Sequence, residues 1–369
     1  MSQNISELIT ENFHHLRVGE RPLFDAADLS HHFRPSQVSN RSDLIPPPQE
    51  LDRFESHFDF DFDFDFDFDF DFDFDFDLDL EFDSVWHPYW RQVFEASRAL
   101  HFELVDCAII ANAWIQQSIR TGQFDPKTWP TQAADFGLQK GPEQANPNQS
   151  KELDGFNPCP KDLGLYGVAP DAKWVAKLAE LGVPTVQLRF KSNDPKQIEE
   201  EIYKSAEAVQ GSNALLFIND HWRLAIKANA YGVHLGQEDL EKLSFDDLKL
   251  IKKSGLRLGI STHGYSEMIR ADKVKPSYIA MGAVYPTTLK QMKTLPQGVH
   301  RLKVYAKLMG HYPLVAIGGI DEGNMREVIS TGVGSIAMVR ALIGADPAQT
   351  QIQRLNSLTL EILEQRIGF

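Results

Sequence analysis

Between Gly164 and Ile343 short apolar runs recur at regular intervals, separated by stretches whose apolar positions keep a helical spacing. The runs are LGLYGVA, PTVQLRF, ALLFIND, GVHLG, LRLGIS, PSYIAMGAV, PLVAIGGI and SIAMV, and each reads as a strand. Helices are expected from Asp171, a good N-cap, to Gly182, then around Ile198 to Val209 and over HWRLAIKANA. Further helices are expected over SFDDLKLIKKSG opened by Ser244, over HRLKVYAKLM and NMREVISTG, and from about Pro347 to Gln365. Strands alternating with helices at this spacing indicate parallel βαβ units, and eight of them predict an α/β fold, a (β/α)8 TIM barrel over residues 161–369. That span lies near the short end of the roughly 200 to 400 residues such barrels occupy, so short active-site loops are expected.

The first half of the chain lacks this rhythm. Residues 1–84 show no sustained period apart from 58–83, where FDFDFDFDFDFDFDFDFDFDLDLEFD alternates apolar and acidic positions strictly. Period two is strand-like, but stacked carboxylates repel and Asp disfavours strands, so 1–84 is expected to be disordered. Within 85–130, Leu104, Ala108, Ala111, Ile115 and Ile119 fall at helical spacings and predict a helix or a helix pair of unknown role. Residues 131–160, rich in Gln, Asn, Pro and Gly, read as a linker, with the barrel beyond it expected to be autonomous.

Charge is concentrated in the repeat. The formal net charge is -15, and 13 acidic residues stand at alternate positions from Asp59 to Asp83, so the remainder is nearly neutral. A nearly neutral remainder gives no basic face for a nucleic-acid partner. No apolar run is long enough to span a bilayer and no signal peptide is apparent, which makes the cytoplasm the expected compartment and leaves no membrane partner. Cys107 and Cys159 have no CxxC spacing and are expected to be reduced and structural. Nothing in the pattern specifies an oligomeric state.

Polar residues cluster where strands end, and in a (β/α)8 barrel the loops after the strands share one face. Asp220 and Asp239 lie one βα unit apart on neighbouring strands, about 4.8 Å from each other, so both carboxylates can face one cation. Hard oxygen donors without His or Cys favour Mg2+, which takes one or two carboxylates and completes its shell with phosphate and water. An Asp after a barrel strand also caps the next helix, a competing use for either residue alone. Gln187, Arg189 and Lys191 alternate on strand two and point to one side, where two cations call for an anion. Ser261 has a hydroxyl to donate to a diphosphate oxygen, and Asn219 stands beside the metal pair. Gly318 and Gly319 after strand seven, with Val339 and Arg340 after strand eight, occupy the usual phosphate position of such barrels; a turn with positive φ would explain the glycine pair equally well.

The motifs QLRFK, FINDH, GVHLGQED, LGISTH, YPTTLK and VAIGGI, in this order, resemble those of thiamine phosphate synthases over the C-terminal half. The resemblance implies a transferase that joins 4-amino-2-methyl-5-hydroxymethylpyrimidine diphosphate to hydroxyethylthiazole phosphate, releasing pyrophosphate. It implies Mg2+ on Asp220 and Asp239, and catalytic roles for Arg189, Lys191, Ser261 and Lys290. It implies substrate contacts from Gln187, Leu188, Arg189, Phe190, Lys191 and Asn219, from Ser261, Thr287, Thr288, Leu289 and Lys290, and from Gly318, Gly319, Val339 and Arg340. Leu289 stands where the family often has Thr, and Arg340 where it usually has Ser. Two alternatives stay open: a related thiazole tautomerase using His263 for proton transfer, and a noncatalytic adaptor built on a degraded barrel. Separately, DCAIIANAWIQQSIRTGQ weakly resembles the closing helix of hydroxymethylpyrimidine phosphate kinases, without the glycine loop or catalytic Asp such a kinase needs.

Overall fold

The computed structural model describes residues 17–18, 21–22, 87–122, 129–138, 155–287, 295–343 and 348–367. Eight parallel strands close into a barrel: β1 (Gly164–Ala169), β2 (Thr185–Leu188), β3 (Leu215–Asn219), β4 (Gly232–Leu235), β5 (Arg257–Thr262), β6 (Tyr278–Gly282), β7 (Leu314–Ile317) and β8 (Ser335–Met338). They run in chain order, and β8 pairs with β1 through Ser335 opposite Gly164. The strand assignment from the apolar runs therefore holds, with most ends drawn in by one or more residues and β5 running one residue further, to Thr262.

Side chains alternate across each strand. Outward residues such as Leu165, Val186, Leu216, Val233, Leu258, Ile279 and Ile336 pack under the helices, whereas Tyr166, Phe217, Tyr278, Val315 and Ala337 fill the barrel interior. Tyr278 needs the space opposite Gly259, where a Cβ would stand 2.1 Å from its Cζ. Phe217 is wholly buried and meets Tyr278 edge-on at 5.1 Å between ring centroids. Phe217→Ala should therefore cost about 3–5 kcal/mol of stability, read as a lowered denaturation midpoint in urea.

Among the described residues two α-helices precede the barrel, α1 (His87–Ala99) and α2 (Leu104–Thr121). In the barrel follow α3 (Ala172–Glu180), α4 (Pro195–Ala208), α5 (Trp222–Lys227), α6 (Gln237–Glu241), α7 (Phe245–Lys253), α8 (Tyr265–Val274), α9 (Gly298–Leu308), α10 (Met325–Ser330), α11 (Arg340–Ile343) and α12 (Ala348–Ile367). Asp171 caps α3 by accepting from the Trp174 amide at 2.8 Å. Ser244 opens α7 with a reciprocal capping box to Asp247. Neither α6, too short for a periodic signal, nor α8 was expected from the spacing.

The predicted helical region forms a helix pair, joined where the Trp90 indole donates to Asn112 Oδ1 at 2.7 Å. Within 131–160, Ala133–Phe136 forms a 3-10 turn, Phe136 and Leu138 are buried in the barrel's outer core, and Asp135 is paired with Arg120 at 2.8 Å. Arg17–Val18 pairs antiparallel with Arg21–Pro22, while the Phe/Asp repeat lies outside the described residues. Among the described residues no helix is long and apolar enough to cross a membrane. Cys107 and Cys159 are free and buried, and burial pushes both thiols up to about 12.

Candidate active site

The C-terminal strand ends surround one open pocket. Of the residues expected at the site, Gln187, Arg189, Phe190, Lys191, Asn219, Asp220, Asp239, Ser261, Thr287, Gly318, Gly319, Val339 and Arg340 line it. Thr288, Leu289 and Lys290 lie outside the described residues. Leu188 does not line it: the alternation that aims Gln187 inward turns the Leu188 side chain outward, into the core beneath the helices. β2 also ends at Leu188, so Arg189 and Lys191 follow the strand rather than belong to it. The Arg189 amide donates to Ala169 O at 2.8 Å, which extends the ladder by one bond and keeps the alternation.

Asp220 follows β3 in the left-handed region, φ 62°, anchored by its amide donating to His234 O at 3.0 Å. This turn carries its carboxylate to within hydrogen-bonding reach of Asp239, which sits on α6 rather than at a strand end. The pocket walls strip hydration from Asp220 and the Asp239 charge stands beside it. Together they raise its pKa from the usual carboxylate range to about 6, while Arg189 and Lys242 pull the other way. Asn219 donates its side-chain amide to Asp220, and Lys242 holds Asp239 at 3.0 Å.

Two crowded carboxylates, one of them paired with Lys242, suit a divalent cation, which would relieve the repulsion. Among the described residues no group of three or more His, Cys, Asp or Glu is placed to hold a metal. A cation here would have two protein ligands and would need phosphate and water for the rest, the usual arrangement for Mg2+.

Beneath the pocket runs a hydrogen-bonded chain that strand patterning did not reveal. Gln187 Nε2 donates to Tyr166 Oη at 3.2 Å, and Tyr166 Oη lies 2.8 Å from Tyr278 Oη. Tyr278 Oη meets His234 Nδ1 at 2.7 Å, and His234 Nε2 meets Ser261 Oγ at 2.8 Å. Five strands thus tie their polar interior groups to one another, with Gln187 and Ser261 at the two pocket ends. Inward polar positions on neighbouring strands were the signal, but each is a lone polar residue in an apolar run. Tyr278→Phe should leave the barrel folded, since only one hydroxyl is lost. It should loosen both Gln187 and Ser261, seen as weakened binding of pyrophosphate by calorimetry.

Other polar groups gather beside β5. His263 Nδ1 meets Glu267 Oε2 at 2.7 Å, and the His263 amide donates to the same oxygen at 2.7 Å. Gln237 Nε2 donates to Ser261 O at 2.7 Å while Arg270 bridges Gln237 and Glu241. On the opposite rim Gly318 and Gly319 have φ of 105° and 65°. A Cβ on Gly318 would stand 2.5 Å from Ala283 Cβ, so these positions need glycine for conformation and for close approach. Arg340 opens α11 on the pocket rim and is exposed.

Residues 165–342 match the family model described as thiamine monophosphate synthase. The thiamine-phosphate synthase of Neisseria meningitidis serogroup B is 50% identical over 203 residues, 55% of this chain and 98% of that protein. The chain belongs to the thiamine phosphate synthase family. The thiamine-phosphate synthase of Proteus mirabilis is 47% identical over 209 residues, 57% of this chain and 93% of its own length. The solved structure of thiamine phosphate pyrophosphorylase from Pyrococcus furiosus covers 55% of this chain and 97% of its own, at 28% identity and a TM-score of 0.48. Family members are transferases, and neither the tautomerase nor the adaptor reading receives support from these relatives. The aligned stretch nearly exhausts the Neisseria protein, so the helix pair of this chain is additional to what that relative carries.

Proposed function

We propose that the barrel makes thiamine phosphate and pyrophosphate from the pyrimidine diphosphate and hydroxyethylthiazole phosphate, as a cytoplasmic, Mg2+-dependent enzyme. The observation that carries this reading is the convergence of Asp220 and Asp239 with Arg189, Lys191 and Ser261 on one barrel mouth. In a family of this activity, such a set answers the needs of a diphosphate leaving group.

The reaction is a dissociative substitution. The bond from the exocyclic carbon of the pyrimidine to oxygen breaks and its electron pair leaves with the diphosphate. The ring amino group stabilises the resulting cation, and the thiazole nitrogen then adds its lone pair to the carbon. When bound by Asp220 and Asp239, Mg2+ would neutralise charge on the leaving diphosphate. Arg189 and Lys191 face the same charge from β2's end, and Lys290 joins them by the family resemblance. Ser261, its Oγ fixed by His234, donates to a phosphate oxygen. Gly318, Gly319, Val339 and Arg340 receive the thiazole phosphate on the far rim, where the Arg340 guanidinium offers a bidentate grip. Thr287 and Thr288 contact the thiazole, Leu289 lacking the hydroxyl. No general base is needed, so His263, already engaged by Glu267, holds the loop.

The direct test is to incubate the purified protein with both phosphorylated precursors and Mg2+. Thiamine phosphate and pyrophosphate should appear in equal amounts. Failure to form either in metal-replete, folded protein would overturn the reading.

A further inference from the structure

The N-terminal helix pair packs against the barrel, and Asp106 on α2 meets it at the loop between β5 and α8. Asp106 on α2 is 4% exposed. Its Oδ2 accepts from the Tyr265 amide at 3.0 Å and its Oδ1 from the Ser266 amide at 2.8 Å. These are the first amides of α8, whose own N-cap residue is Gly264 and offers no side-chain cap. The carboxylate occupies the space a side chain at 264 would need, since a Cβ there would stand 2.1 Å from Asp106 Oδ2. Glycine at 264 and aspartate at 106 are complementary.

The surrounding contacts hold this carboxylate in place. Tyr265 is buried, with Phe136 stacked on it at 4.7 Å and Phe102 tilted against it at 5.9 Å. Trp129 donates its indole N–H to Tyr265 Oη at 3.3 Å. Arg301 of α9 lies over the Phe102 ring at 3.9 Å and donates to Leu100 O. Glu103, at the start of α2, lines the same pocket as Ser261 and His263.

The first turn of α8 also carries Glu267, which fixes His263 through two contacts at 2.7 Å. From the other side Gln297 Nε2 donates to His263 O at 2.8 Å. Ser261 stands two residues before His263 on β5. A shift of α8 along its axis would therefore move Glu267, His263 and the end of β5 together.

We propose that Asp106 is a positioning residue for the reaction: supplied by the N-terminal helix pair, it caps α8 and sets the β5–α8 loop, and through it the end of β5 that bears Ser261. The proposal rests on the reading of Ser261 as a group that touches the diphosphate. It gives the added helix pair a function in catalysis, although it supplies no group to the reacting atoms.

The test uses the full chain with Mg2+ and both precursors. Displacement of a catalytic group by a fraction of an ångström to about 1 Å lowers turnover by about tenfold to a hundredfold. Asp106→Ala is expected to lower kcat by that factor, with KM for the pyrimidine diphosphate changing less, and Asp106→Asn, which keeps one acceptor, should recover part of the loss. Gly264→Ala, which expels the carboxylate while leaving it in the chain, should reproduce the Asp106→Ala kinetics. The double variant should be no worse than the poorer single one. Arg120→Ala serves as the control: it breaks the Arg120–Asp135 pair on the same helix pair and should lower the melting temperature without altering kcat or KM.

Unchanged kcat and KM in folded Asp106→Asn and Gly264→Ala would overturn the proposal even if Asp106→Ala does not fold. So would additive losses in the double variant, or an equal kinetic loss in Arg120→Ala, which would indicate general loosening. Ser261→Ala separates the two readings. If it leaves turnover intact, the assignment of Ser261 to the diphosphate fails; if it impairs turnover while the Asp106 and Gly264 variants do not, the positioning role alone fails.

Discussion

Asp220→Asn and Asp239→Asn are each expected to lower Mg2+-dependent turnover by roughly a hundredfold or more, because loss of one ligand forfeits several kcal/mol of charge stabilisation on the leaving diphosphate. The fold should survive both changes. Asn tolerates the left-handed conformation that Asp220 adopts at φ 62°. Asp239 lies on the short, pocket-facing α6, where its side-chain partner is Lys242. Calorimetric titration with Mg2+ and pyrophosphate checks the binding, and circular dichroism checks the fold. Full activity at limiting Mg2+ in either variant would remove that residue from the metal site.

The same pair has a pH signature. In the metal-free protein Asp220 has its pKa raised to about 6, so the folded state holds a proton that the unfolded state has already released. Its contribution to stability is present below the ordinary carboxylate range and is lost as pH rises through about 6, where folding must accommodate two ionised neighbours. Metal binding runs the opposite way, since it needs both carboxylates ionised, and Mg2+ affinity should rise as pH passes that value. Asp220→Asn should flatten both profiles. A melting curve of the metal-free protein whose pH dependence is identical with and without Asp220 would contradict the raised pKa.

The barrel was legible because burial on both faces forces continuous apolar runs, and eight of them stand out against polar turns. The polar lining of the pocket was legible for a related reason. Arg189, Asp220 and Ser261 are polar residues at the ends of runs where packing alone would not place them. The Leu188 side chain stands outside the pocket lining because a strand turns only alternate side chains to one side, whereas the motif that contains it is contiguous. His234, Tyr166 and Tyr278 escaped notice because each is a single polar group in an apolar strand. Their meaning arises only when the barrel closes and their polar atoms meet at 2.7 to 2.8 Å. The docking of Asp106 on Tyr265 and Ser266 joins parts of the chain far apart in sequence, and no local pattern encodes it. Gly264 carried a trace of it, a residue without a side chain beside a site that otherwise bristles with polar groups.

Lys290→Ala is expected to reduce kcat by about a hundredfold to a thousandfold, the cost of about 3 to 4 kcal/mol for one preorganised contact to charge that develops in the transition state. Substrate affinity should fall less, because the diphosphate gains most of its charge only as the carbon–oxygen bond breaks. His263→Ala should cost much less than Lys290→Ala. No proton moves in the substitution, and the ring of His263 is already committed to Glu267 at 2.7 Å, which makes its loss one of loop geometry. A tautomerase would reverse this order, since proton transfer would require His263 and have no use for a cation over a leaving group. Both variants should therefore be assayed with the paired precursors and, separately, with the thiazole tautomer alone. Near-normal synthase turnover without Lys290 would remove it from the leaving-group site, and loss of turnover on His263→Ala as deep as on Lys290→Ala would require a proton transfer that the dissociative mechanism does not contain.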